Sequence, residues 1–190
     1  MRMLRAVLAS ALAGGLVGGC TPVVRVDDLV PSTIPKAVDA VDKSLGVAPV
    51  LGGLASEYAA RVVANVEGVP YGEALVRSLA DTGLFREVRA GQEGDLVLHT
   101  EIISQAATHP PTVYTLLVHY DLRDAASGRV LWRRNIYSDA LAWDTPHDAI
   151  GATWLPTVRG RTVQENLSEL IADLNEDLPR ALTNARAAAR

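Results

Sequence analysis

From Tyr114 to Arg123 the chain alternates for ten residues, with Tyr114, Leu116, Val118, Tyr120 and Leu122 set against Thr115, Leu117, His119, Asp121 and Arg123. A period of two sends successive side chains to opposite faces of a β-strand, one face buried and the other wetted. Asp124-Ala125-Ala126-Ser127-Gly128 supplies a turn, and residues 129–140 return as the second strand of a hairpin. On the return Val130, Trp132, Arg134 and Ile136 share a face, with Leu131, Arg133 and Tyr137 on the other. An arginine on that apolar face means that the face is only partly buried or that Arg134 reaches an acid at its rim. The period then changes: Val163, Leu167, Leu170, Ile171, Leu174, Leu178 and Leu182 form one stripe at helical spacing behind Thr162-Val163-Gln164-Glu165, which reads as a capping box. Pro179 is expected to end or kink that helix. A half-buried hairpin and a one-sided helix bury their apolar faces against each other, which dictates a sheet-and-helix layer.

The upstream pattern fits the same layer. Residues 70–82 have helical spacing at Ala74, Leu75, Ser78, Leu79 and Thr82, with Gly83 placed as a C-cap and Leu84 sealing the end. Strands are expected at 60–66, 85–89 and 95–103, a short helix at 37–47 ending at Gly46, and a loop or broken helix at 143–161. The expectation is a single α+β domain over 37–190, with an antiparallel or mixed sheet, helices on one face and a long C-terminal helix.

The first residues follow a different logic. Arg2 and Arg5 precede an apolar run over 6–17, and small residues then lead to Cys20, the sole cysteine. The run falls short of the roughly 20 apolar residues that span a bilayer and has the layout of a secretory signal. Val17-Gly18-Gly19-Cys20 resembles the bacterial lipobox. The resemblance implies that a dedicated peptidase reads Val17, Gly18 and Gly19, that residues 1–19 are removed, and that Cys20 becomes acylated. Residues 20–36 carry three prolines and read as a lipidated tether reaching about 50 Å when extended, with a short strand at 23–26 as the alternative. Thr21, rather than Asp, follows the cysteine; by analogy with enteric bacteria this favours the periplasmic face of the outer membrane.

Removal of Arg2 and Arg5 leaves 16 basic against 22 acidic residues, a net charge of about −6. Such a surface offers no footprint for nucleic acid and no polybasic patch for lipid head groups. Membrane contact then falls to the acyl chains: one binds marginally, two or three bind stably. With Cys20 consumed, disulfides, thiol catalysis and cysteine-ligated zinc are excluded.

A further resemblance covers residues 71–137. Thr82-Gly83-Leu84-Phe85 at a helix end, Asp95-Leu96-Val97-Leu98 opening a strand, and Asp124-Ala125-Ala126-Ser127-Gly128-Arg129-Val130-Leu131-Trp132 at a hairpin are similar to a group of bacterial envelope lipoproteins and periplasmic domains. The group includes auxiliary lipoproteins of lipid-transporting ABC systems, the curli-secretion lipoprotein, the amino-terminal domain of the Tol–Pal translocation protein, and lipoprotein activators of peptidoglycan synthases. The resemblance implies a domain that recognises other envelope components and lacks a catalytic site.

The residues themselves point the same way. His99, His109, His119 and His147 have no metal-ligand spacing, no nucleophile elbow occurs, and Asp27-Asp28 and Asp121/Asp124 read as solvated or turn carboxylates. No cofactor, metal or catalytic residue is predicted. Trp143, His147 and Trp154 form a candidate partner-contact surface, the alternative being that both rings plug the end of the core. His109-Pro110-Pro111-Thr112 poses the same choice between plain loop and docking edge. The expected function is a non-enzymatic accessory or adaptor in envelope transport or assembly, with an envelope protein or glycan as partner. A lipid- or glycolipid-binding module would need an apolar cavity between sheet and long helix. A hydrolase would need a Ser or Asp to converge on His99, His119 or His147.

Overall fold

The structure, a computed structural model, describes residues 25–52, 68–108, 113–141 and 154–187. After a 3-10 turn at Val26–Asp28 come β1 (Val41–Val47), β2 (Leu51–Gly52), α1 (Gly68–Thr82), β3 (Phe85–Ala90), β4 (Leu96–Thr108), β5 (Val113–Asp124), β6 (Val130–Leu141) and α2 (Trp154–Ala187). The strands make one mixed sheet in the order β3-β1-β4-β5-β6, with β2 also beside β4. β1 runs parallel to β3 and β4, whereas β4, β5 and β6 form an antiparallel meander. Both helices cover the same sheet face, giving the expected single α+β domain with a long C-terminal helix.

The hairpin forms as its alternation requires: Tyr114, Leu116, Val118, Tyr120 and Leu122 are all buried, and Leu122, Val118 and Leu116 pair with Trp132, Ile136 and Ser138. Arg134 stands on the inner face and does reach acids at the rim, Asp173 at 3.3 Å and Asp177 at 3.2 Å, both on α2. Gly83 takes φ 68° behind α1, with Leu84 buried behind it, as the C-cap reading requires. In the turn, Asp124 accepts from the Ser127 amide at 2.8 Å and hydroxyl at 2.7 Å, and Gly128 adopts φ 69°.

Several local expectations are corrected. Residues 41–47 are a strand, not the end of a short helix; Leu45 and Val47 are buried one beside the other on the inner face. Gly46 is no helix cap. A Cβ there would lie 2.9 Å from the carbonyl oxygens of Gly91 and Glu93, so glycine admits the β3–β4 turn against the sheet. Within the stretch read as tether, Leu29 is fully buried and Val26, Val30 and Ile34 pack against the core. A 3-10 turn spans 26–28, and most of the alternative strand at 23–26 lies outside the described residues. Helix α2 begins at Trp154, inside the stretch read as loop. Thr162 is therefore two turns into the helix, where its hydroxyl bonds the Val158 carbonyl at 3.0 Å and the Tyr114 carbonyl at 3.3 Å instead of capping. Pro179 does not end the helix, because buried Leu178 and half-buried Leu182 keep the following turns on the core. The strand expected at 60–66 lies outside the described residues.

One polar cluster sits inside this apolar layer. The Asn166 side chain accepts from the Tyr71 hydroxyl at 3.0 Å and the Tyr120 hydroxyl at 2.6 Å. Its amide donates to the Ile136 carbonyl and the Ser138 hydroxyl, each at 3.1 Å. Both lone pairs and both protons of the amide are thus used. The two tyrosine hydroxyls also touch each other, and burial pushes both phenols above their usual pKa. Four elements, α1, β5, β6 and α2, meet at this side chain. Replacing Asn166→Leu strands at least two buried polar groups, at about 1–3 kcal/mol each, so urea unfolding is expected to show a loss of about 3 kcal/mol. Gly46→Ala forces backbone against backbone and should cost about 1–3 kcal/mol in the same assay.

Candidate functional site

Among the described residues, no element packs on the face of the sheet turned away from the helices. Across β4, β5 and β6 it presents three successive rows: His99–Asp121–Arg133, Glu101–His119–Asn135, and the pair Leu117–Tyr137 flanked by Ile103. Ile103 is the extra residue of a bulge between Ile102 and Ser104, and the bulge leaves it outside the ladder. Ile103 is 49% exposed and Tyr137 57%, with half-buried Leu117 between them. Single exposed apolar residues are ordinary, but an apolar row across three adjacent strands is a recognisable contact surface.

The polar rows are held in place from within the sheet. Asp121 Oδ2 accepts from Arg123 Nε at 3.1 Å and Nη2 at 2.6 Å, and from Arg133 Nη2 at 3.2 Å. Its side chain is only 6% exposed. Burial raises the pKa of this carboxyl, but the hydrogen bonds and charges of the two arginines outweigh it and hold the group below the usual carboxylate range. His119 Nδ1 meets Asn135 Oδ1 at 2.5 Å. Among the described residues no hydrogen bond joins a serine or carboxylate to His99 or His119, although Asp121 is the cross-strand partner of His99. Nor do three metal-ligating side chains gather anywhere among these residues.

On the helical side Leu116, Val118, Leu167, Leu170 and Leu174 are fully buried in one core cluster. The cavity that a lipid-binding module would need between sheet and long helix is therefore filled. An open space lies elsewhere: an apolar groove of about 670 Å³ between α1 and the excursion joining β1 to β2. Val47, Pro49, Val50, Gly72 and Val76 line it, and Glu73 and Arg77 stand at its rim. Gly72 faces this space, and a Cβ there would stand in ordinary contact with Val50 Cγ2 at 3.4 Å. Arg77 also forms an ion pair with Asp27 of the N-terminal 3-10 turn.

Of the residues singled out in the sequence, Val17, Gly18, Gly19, Cys20, His109, Trp143 and His147 lie outside the described residues, and Trp154 opens α2. Sequence reasoning missed Asn166 and Arg159. Both are polar residues interrupting the buried side of α2, which is the signal that marks them. Arg159 is 1% exposed, its guanidinium 5.8 Å from the Tyr114 ring centroid, and burial lowers its pKa. Among the described residues its Nε has no hydrogen-bond partner.

The sequence matches no protein-family model and no curated protein. Solved structures do match. A Xanthomonas campestris protein of the family DUF330 is 15% identical, with 89% of this chain and 98% of that one covered and a TM-score of 0.56. A hypothetical protein from Chlamydia trachomatis is 11% identical over 72% of this chain and 98% of its own, TM-score 0.57. A homologue of the neuraminyllactose-binding hemagglutinin from Helicobacter pylori is 8% identical over 78% and 95%, TM-score 0.51. At these identities the likeness establishes a shared α+β fold. It does not single out any of the envelope groups that residues 71–137 resemble.

Asp121→Asn removes a carboxylate whose pKa is lowered on folding, so its contribution is present above the unfolded pKa and disappears as pH falls through the folded one. With both arginines about half exposed, the expected loss is about 1 kcal/mol at pH 7. Chemical denaturation across pH 2–7 should show the gap between wild type and variant narrowing as pH falls below the ordinary Asp value of about 3.9.

Proposed function

We propose that the protein is a lipid-anchored, non-enzymatic accessory of the bacterial envelope. Cys20 holds it on the periplasmic face of the outer membrane, and the domain docks a protein or glycan in envelope transport or assembly. The observation that carries this reading is the two-sidedness of the domain. The segment that follows Cys20 enters on the helical side, where Asp27 pairs with Arg77 of α1 and the Asp28 carbonyl accepts from Gln164 of α2 at 3.0 Å. The sheet face carrying Ile103, Leu117 and Tyr137 points the other way. An anchor on one side and an uncovered apolar row on the other suit a tethered recognition module. The stretch containing Trp143, His147 and Trp154 is a second candidate contact in this reading. The lipobox resemblance supports the address, and no helix among the described residues is long and apolar enough to cross a membrane.

Two measurements test the proposal. Cys20→Ser is expected to leave the membrane fraction and to incorporate no labelled fatty acid; retention in the membrane would sink the anchor. A photo-crosslinking amino acid at position 137 should capture an envelope protein or a glycan in living cells, whereas one at the helix-side position 180 should not. The Ile103→Asp exchange should abolish that capture. Equal capture from both positions would remove the sheet face from consideration.

A further inference from the structure

We infer that the groove beside α1 is a seat for an acyl chain of the protein's own anchor, so that the lipid on Cys20 divides its time between bilayer and domain. The inference rests on the reading that Cys20 is acylated. The groove has the volume of ordinary small-molecule sites, about 300–1,000 Å³, and its walls are the apolar side chains of Val47, Pro49, Val50 and Val76. Its position relative to the anchor is what commits it to this occupant. Arg77 is at once a residue of the groove's rim and the partner of Asp27. Asp27 follows Cys20 by seven residues, a span of at most about 25 Å. Helix α1, with 15 residues, is about 22 Å long. Every point of the groove is thus within reach of a chain attached at Cys20, and the Asp27–Arg77 pair holds the N-terminal segment beside it.

The energetics permit the exchange. A methylene gains about 0.8 kcal/mol on leaving water, and it gains similarly in a bilayer or an apolar groove, so transfer between the two is close to balanced. Remaining chains continue to anchor the protein while one is seated, since two suffice for stable attachment. The exposed Asp27–Arg77 pair adds a weak, reversible latch. Glu73 and Arg77 at the rim keep the mouth wetted, so the groove favours a slender tail over a broad apolar surface.

The test uses the full lipidated chain. Cells are fed a fatty acid carrying a diazirine, the membranes are illuminated, and crosslinked peptides are identified by mass spectrometry from a mixture of isotopically heavy and light copies. The expected result is an N-terminal lipopeptide joined to peptides from 47–52 or 68–77 of the same copy. Gly72→Leu fills the groove while improving helix propensity, and it should abolish that crosslink without lowering the melting temperature. Arg77→Ala, which releases Asp27, should reduce it. Crosslinks only to bilayer lipids, to another copy, or to other regions of the domain would overturn the seat while leaving the anchor intact. Absence of the label from Cys20 would overturn the anchor and the seat together.

Discussion

Four elements of this domain are tied together at one amide. Asn166 lies where α1, β5, β6 and α2 converge, and its four hydrogen-bonding positions are all occupied. A leucine core alone would tolerate small rotations of the two helices over the sheet, because apolar contact has no direction. A buried polar group tolerates none, since any shift leaves a hydroxyl or carbonyl without a partner in a medium that cannot replace it. The amide also occupies a carbonyl of β6, the outermost strand of the meander, and so blunts an edge that would otherwise recruit another strand. Register, helix placement and edge protection therefore depend on the same side chain.

Fixing the helices fixes the groove and the entry of the chain. The groove's width is set by α1 against the β1–β2 excursion, and α1 is held by Tyr71. The N-terminal segment rests on α1 through Asp27 and on α2 through Asp28, where a Cβ on Gly160 would come within 2.8 Å of the Asp28 carbonyl oxygen. Outside this frame, the uncovered sheet face is organised independently by Asp121 and its two arginines.

The meander and α2 were legible because their information is local and repeated: ten alternating residues in β5, and seven stripe positions on the helix. The C-cap at Gly83 is legible for the same reason, whereas the sequence leaves Arg134 between a partly buried face and an acid at the rim and does not name the α2 partners. What failed was information spread along the chain. β1 is short and its partners, β3 and β4, follow some 40–50 residues later, so Gly46 looked like a helix stop when it is a point of close packing. Residues 25–36 resembled a linker because three prolines in the stretch 20–36 disguise the burial of Leu29. Thr162-x-x-Glu165 matches a cap wherever it occurs, and here tertiary packing carries the helix through it. The candidate surface was only partly readable. The alternation puts Leu117 and Tyr137 on the face opposite the core without marking them as a surface, and the bulge that turns Ile103 outward has no signature in sequence.

The bond between Gln164 and Asp28 joins positions 136 residues apart. The N-terminal segment precedes α2 in the chain, so the platform for residues 25–29 does not exist until α2 has been made and has packed. Such long-range closure is slow relative to local structure. Until it happens residues 25–29 have nothing to pack on; afterwards they are drawn in against the helices. The placement of residues 25–29 is therefore a property the domain acquires only on completion, and it distinguishes a finished fold from a truncated or misfolded one.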